Sequence, residues 1–406
     1  MSKSSKIYQL ESLRGSSIAE IPIVRQAGRA IWVGDEKSNS KKIDFCSTNY
    51  LDFDQRPELI ERGIELTKKW GAISNWSRFE VDPKIYSDLE SEIAEFLGET
   101  DITLAHTITA ACFSLIPAIV GKGTVFTDEK LHAVVYEAAR LARDHGAEIT
   151  RFRHQGLEDL EARLKNCTRP GVKLVCVDGV YSISATLAPI RELQELCAKY
   201  DAFLWVDDAH GFGVHGKNGR GAVDELSAHY NRTFYVSSFN KAFGTHTAFS
   251  TCPKEFKETD LRSRHLQHLF SAPIAPFTVG TVFAALELNK KEGDFQRARL
   301  AELSRRFRVG AAKIGFEVET NSSHPVVFLK VGALKTFQAF SEEIFRTGIV
   351  AGIRTYPVVP EDSCGLRFAL SAGHSETDID TALNILADAL QKIRNQSRPI
   401  FVEGVA

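Results

Sequence analysis

The sequence predicts an α/β fold, a mainly parallel central sheet sandwiched by helices, with a smaller C-terminal α+β domain. Three observations carry that expectation. The middle of the chain alternates short, almost fully apolar runs with segments of helical period, the pattern of a parallel sheet covered on both faces. The texture changes near Asn289, where a long charged helical stretch begins. The chain has 406 residues, 43% of them hydrophobic, so it can bury more than one core.

Residues 1 to 55 read as an irregular lead-in with short extended pieces, Arg29-Ala-Ile-Trp-Val33 and Lys42-Ile-Asp-Phe-Cys46. A large domain is expected over 56–288. Helical period starts at Pro57, with Leu59, Ile60, Gly63 and Ile64 on one side, and returns from Tyr86 to Leu97. Strands are predicted at 123–127, 148–152, 173–178, 202–207 and 233–237, with helices at 133–145, 157–164 and 190–200 between them. A small domain follows over 289–406, with a helix to about Ile314, strands at 325–331 and 365–370, and amphipathic helices at 334–346 and 377–393.

Lys and Arg number 50 against 52 Asp and Glu, a formal charge of −2 that provides no general attraction to nucleic acid or anionic lipid. No apolar run approaches the ~20 residues of a membrane span, and the opening MSKSSKIYQLESLRG lacks the apolar segment of a secretory signal. Seven scattered cysteines without a C-x-x-C pair suit reduced thiols rather than disulfides or structural zinc. These features lead to the expectation of a cytoplasmic protein without a metal site.

Two glycine motifs are decoys. Gly211-Phe-Gly213-Val-His-Gly216 fits the dinucleotide fingerprint, yet Asp208-Ala-His210 separates it from the preceding strand and Lys217-Asn-Gly-Arg-Gly221 prolongs a loop where a helix should begin. The same stretch spells G-x-x-x-x-G-K, but Asn218 replaces the hydroxyl residue that magnesium requires. The expected structure is a glycine loop leading a strand away from a site.

The chemistry is concentrated in Trp205-Val-Asp207-Asp-Ala-His210 at one strand end and Ser237-Ser-Phe-Asn-Lys241-Ala-Phe-Gly244 at the next. The carboxyl edge of an α/β sheet is where ligands bind. A lysine that can form a Schiff base and a buried carboxylate that can keep a pyridine nitrogen protonated suit pyridoxal phosphate. The Ser237-Ser238 hydroxyls and nearby N–H groups suit its phosphate, and His210 can reach the ring hydroxyl.

From about Asp44 to Leu390 the chain resembles the α-oxoamine synthases, fold-type I pyridoxal-phosphate transferases that include aminooxononanoate synthase, aminoketobutyrate ligase, aminolevulinate synthase, serine palmitoyltransferase and the autoinducer synthases. The markers are Ser47-Thr-Asn-Tyr-Leu51, Ser77-Arg78, Leu131-His132, Asp178-Gly-Val-Tyr-Ser182, Val206-Asp-Asp-Ala-His210 with Gly216 and Gly219-Arg-Gly221, Lys241 to Gly244, and Leu366-Arg-Phe-Ala-Leu-Ser-Ala-Gly-His374. The resemblance implies an acyltransferase that condenses an α-amino acid with an acyl thioester of coenzyme A or an acyl carrier protein. Its products are an α-aminoketone, carbon dioxide and free thiol. It also implies a homodimer with composite sites and a specialised biosynthetic role.

The same resemblance assigns Lys241 to the Schiff base and to α-proton removal, His132 to stacking on the pyridine ring, Asp207 to its nitrogen and His210 to its hydroxyl. Ser182 and Ser238 become further cofactor contacts, Arg367 the clamp for the substrate carboxylate and Asn49 a polar contact near the substrate. Ser271 becomes a phosphate contact donated by the second subunit. The chain departs from the family at His106-Thr107-Ile108-Thr109, where relatives carry a Ser-Gly-aromatic turn. Without the glycine, the expected phosphate grip is the Thr107 or Thr109 hydroxyl with the amides at the helix start, Ile108 among them. Asn240 also replaces the usual Gly or Ser before the lysine. Two alternatives stay open: another fold-type I reaction, amino-group transfer or aldol-type cleavage, and a non-catalytic cofactor-binding partner subunit.

Overall fold

Apolar runs and helical periods become thirteen strands and twelve α-helices among the residues that the computed structural model describes, 19–35, 37, 39–99, 101–257 and 261–396. The opening stretch read above for a secretory signal lies outside them. The first elements are β1 (Ile23–Ala27), β2 (Ala30–Gly34), β3 (Asn39–Phe45), α1 (Pro57–Trp70), α2 (Lys84–Leu97), β4 (Ile102–Ala105), α3 (Ile108–Val120) and β5 (Thr124–Asp128). Next come α4 (Ala133–Asp144), β6 (Glu148–Phe152), α5 (Leu157–Asn166), β7 (Lys173–Asp178), α6 (Ile190–Lys199), β8 (Ala202–Asp207), α7 (Ala222–Glu225) and β9 (Thr233–Ser238). The chain ends with β10 (Ala248–Thr251), α8 (Lys254–Lys257), α9 (Leu266–Phe270), α10 (Pro276–Ile314), β11 (Val326–Gly332), α11 (Leu334–Thr347), β12 (Ile349–Arg354), β13 (Cys364–Ala369) and α12 (Glu376–Gln396).

Two compact units result, one from 1–50 with 298–406 and one from 51–297. In the second, a seven-stranded sheet runs in the order β4-β10-β9-β8-β7-β5-β6. Its pairings from β9 to β6 are parallel, and β10 runs antiparallel to both of its neighbours. Trp205 joins Leu115, Ile116, Val135 and Ala138 of α3 and α4 in one core cluster. Leu204 and Val206 point the other way along β8 and are also fully buried. Both faces are therefore covered, which is why these strands read as continuous apolar runs.

The first unit holds a six-stranded sheet in the order β1-β2-β3-β12-β13-β11. The stretch read as a lead-in supplies three of these strands, because β3 pairs in parallel with β12, Ile43 opposite Ile349. Its core gathers Phe45, Phe307 and Phe368, and Phe45 stacks on His374 at 4.3 Å and 7°. The boundary expected at Asn289 falls inside α10, which is continuous from Pro276.

The glycine loop after β8 starts no helix within the motif; α7 begins only at Ala222. Gly213 and Gly216 take positive φ there, +83° and +75°. All seven cysteines are thiols outside any disulfide. No helix among the described residues is long and apolar enough to cross a membrane, and none of these residues form a cluster suited to a metal ion.

Candidate active site

A cavity of about 230 Å³ opens in the second unit. Its lining draws on the ends of several strands and on the starts of the helices that follow β4 and β5. Eight of the predicted site residues meet there: Thr107, Ile108, Thr109, His132, Asp207, His210, Ser238 and Lys241.

Each is placed by local structure. Asp207 ends β8, 5% exposed, and its Oδ1 accepts the Ala209 N–H at 3.1 Å. His210 is buried in the turn that follows. Ser238 ends β9, and its hydroxyl donates to Asn240 Oδ1, so the unusual residue before the lysine holds the predicted phosphate hydroxyl. Lys241 sits in a loop closed at its ends, where Phe239 N–H donates to Thr247 O at 2.9 Å and Thr245 N–H to Phe239 O at 3.1 Å.

His132 caps α4: its Nδ1 accepts the Val134 N–H at 3.3 Å, while its own N–H donates to Asp178 Oδ1 at 3.1 Å. Thr107 caps α3, its Oγ1 accepting the Ala110 N–H at 3.1 Å. The first amides of α3, those of Ile108 and Thr109 among them, have no carbonyl partner within the helix and favour an anion.

Five predicted residues lie outside this lining. Ser237 is fully buried and its hydroxyl donates to the Asp208 carbonyl at 3.0 Å, so that hydroxyl is taken up within the fold. Ser182 is half-buried in the loop after β7, and Ser271 ends α9. Arg367 and Asn49 belong to the first unit. There Arg367 lies on β13 opposite Gly352, 9% exposed, and its Nε and Nη2 have no hydrogen-bond partner. Arg354 folds over Gly352 on the same sheet, and burial, with Arg367 adding to it, brings it down to about 10. The Asn49 carbonyl accepts from the Ser371 hydroxyl at 2.6 Å.

The cavity also includes residues that sequence reasoning left without a role, chiefly Asp178, Asn240 and His246. Asp178 carried a usable signal, since it ends an apolar strand in the same way as Asp207. Its carboxyl is pushed well above the usual range by burial and by the Asp207 charge beside it. His246 shares the lysine's loop, and nothing in its sequence context shows that it faces inward.

An amine, a buried carboxylate, an imidazole at a helix start and hydroxyls beside a helix N-terminus form a donor set that fits pyridoxal phosphate. The comparisons agree. The model of the family described as aminotransferase class I and II matches residues 40–386. The chain is 30% identical to the mitochondrial 2-amino-3-ketobutyrate coenzyme A ligase of Mus musculus over 384 residues, 94% of this chain and 91% of that protein. It is 32% identical to the 8-amino-7-oxononanoate synthase of Thermosipho melanesiensis over 347 residues, 84% and 87% of the two chains. The serine palmitoyltransferase of Sphingomonas wittichii superposes with a TM-score of 0.86 at 25% identity, covering 97% of this chain and all of that one. The chain thus belongs to the class I and II aminotransferase family and, within it, to the pyridoxal-phosphate-dependent α-oxoamine synthases.

Proposed function

We propose that this protein condenses an α-amino acid with an acyl thioester, releasing carbon dioxide and free thiol and leaving an α-aminoketone. The observation that carries the reading is the meeting of Lys241 and the buried Asp207 in one cavity of an α-oxoamine synthase. When bound, pyridoxal phosphate supplies an electron sink for charge developing on the substrate α-carbon. Asp207 would hold its ring nitrogen, His210 its ring hydroxyl and His132 its face, with Ser182 as a further contact. Ser238, Thr107 and the Ile108 amide would hold its phosphate.

The remaining chemistry falls to this chain's own groups. Lys241 Nζ, as the free amine, takes the proton from the amino acid's Cα. His132 keeps its ring orientation because Nδ1 is tied to the start of α4. Arg367 binds the substrate carboxylate, with Asn49 near it; the unpartnered Nε and Nη2 of a buried guanidinium support this role, since a carboxylate can accept from both nitrogens. The acyl donor is a thioester of coenzyme A or of a carrier protein.

A homodimer is part of the same reading. Ile60, Ile64, Trp76, Phe79, Phe270 and Phe277 are exposed on the second unit, Phe270 at 81%. Two patches can be traced: Gly63 meets the Phe277 ring beside Ile60 and Ile64 on α1, and Ser77 Oγ meets the Leu269 carbonyl between Trp76 and Phe270. Such an apolar surface suits a second copy of the chain. Ser271, next to Phe270, would then serve the other copy's site. We place the enzyme in the cytoplasm.

Product analysis tests the reading. Carbon dioxide and free thiol are expected in equal amounts, only when amino acid and acyl thioester are both present, and Lys241→Ala should lose both. Keto-acid formation without thiol release would instead establish amino-group transfer.

A further inference from the structure

Three carboxyl groups end three neighbouring strands of the seven-stranded sheet: Asp128 on β5, Asp178 on β7 and Asp207 on β8. Asp178 and Asp207 are direct cross-strand partners, 4% and 5% exposed, and both line the cavity. Asp128, 2% exposed, is ringed by donors. It accepts the Lys130 and Gln155 N–H groups at 2.7 and 2.9 Å and meets His154 Nδ1 at 3.0 Å.

Like charges at such spacing in a low-dielectric interior repel strongly, and the middle group, with a neighbour on each side, is the hardest to ionise. We propose that Asp178 carries a proton in the working enzyme and acts as a positioning residue, a neutral carboxyl that leaves the pair's single negative charge on Asp207 and holds the His132 backbone through Oδ1. This rests on the reading of Asp207 as the anion beneath the cofactor nitrogen.

The groups facing Asp178 are Asp207, Asp128, Lys241, Cys112 from α3, Tyr181 from the following loop, and His132 at the start of α4. Lys241 is the one cation among them that lowers it. Burial pushes the Cys112 thiol and the Tyr181 hydroxyl up, so neither adds charge of its own near neutral pH. Burial, then Asp207, pushes Asp178 itself up.

The test titrates cofactor-free protein with pyridoxal phosphate across pH, following visible absorbance. Asp178→Asn, a neutral isostere, should bind within about threefold of the parent near neutral pH, and Asp207→Asn should bind at least about tenfold more weakly. Parent affinity should fall at alkaline pH as Asp178 ionises, and that fall should vanish in Asp178→Asn. Equal weakening by the two variants, or coincident pH profiles for the parent and Asp178→Asn, overturns the proposal.

Infrared spectroscopy of the parent needs no variant to fold. At about pH 8, just above the value of about 7 at which Asp208 titrates, a protonated-carboxyl stretch should persist, and its absence overturns the proposal. Failure of the parent to take up cofactor at all would instead refute the reading of Asp207, and with it the role assigned to Asp178, even if the infrared band is present.

Discussion

At the residue scale, the arginine on β13 makes the sharpest case. An arginine that is only 9% exposed and whose Nε and Nη2 have no hydrogen-bond partner is satisfied only when a ligand or solvent completes it. Arg367→Gln should raise KM for the amino acid by roughly 10- to 100-fold, the worth of a charge-assisted fork, with unchanged cofactor uptake. Steady-state kinetics with varied amino acid, beside a cofactor titration, checks both halves. Asp208 yields a stability prediction. Burial lifts it to about 7, although the Ala222 amide and the Tyr235 hydroxyl both donate to it. A raised carboxyl contributes its full stability below its unfolded value and loses it as pH rises. Asp208 should therefore contribute on the order of 4 kcal/mol to a fall in unfolding free energy between about pH 4 and about 7, beside the fall that the raised Asp178 carboxyl adds. Urea unfolding across that range should show a smaller fall in Asp208→Asn than in the parent, the difference being the Asp208 contribution. Lys241, Asp207 and His210 were legible because each sits in a distinctive local run at a strand end. The pairing of Asp178 with Asp207 was not, because it depends on which strands lie side by side, and the Ser238 to Asn240 bond was not, because it depends on how the chain turns after β9.

At the element scale, the lysine loop is positioned by a turn that only glycine fits. Gly244 has φ +65°, and a Cβ there would lie 2.4 Å from the Asp54 backbone nitrogen. Gly244→Ala should cost at least about 1–3 kcal/mol of unfolding free energy and weaken cofactor uptake, because the Gly244 N–H is bonded to the Lys241 carbonyl at 3.3 Å. Paired denaturant melts and cofactor titrations measure both effects. The strands β7 and β8 match their predicted spans because a buried parallel strand is a bounded apolar run. The element α3 escaped the helical pattern, since Ile108–Val120 is apolar on nearly all sides and contains Pro117. It also follows the four-residue β4 with only two residues between. The start of α10 was placed late for the same reason. Its first part, 276–288, is apolar, and charge begins to mark it only near Asn289.

At the scale of the whole molecule, the alternating middle predicted the parallel sheet and so the edge where Asp207 and Lys241 would meet. The place of β1, β2 and β3 was hidden. That β3 pairs with β12, more than 300 positions away, has no local signature. The central claim is that Lys241 is the amine that engages the cofactor aldehyde. Borohydride treatment of the cofactor-loaded protein, followed by peptide mass spectrometry, tests it most directly. A pyridoxyl group fixed on Lys241 is the predicted result. Modification of a different lysine, with Lys241 left bare, would contradict it.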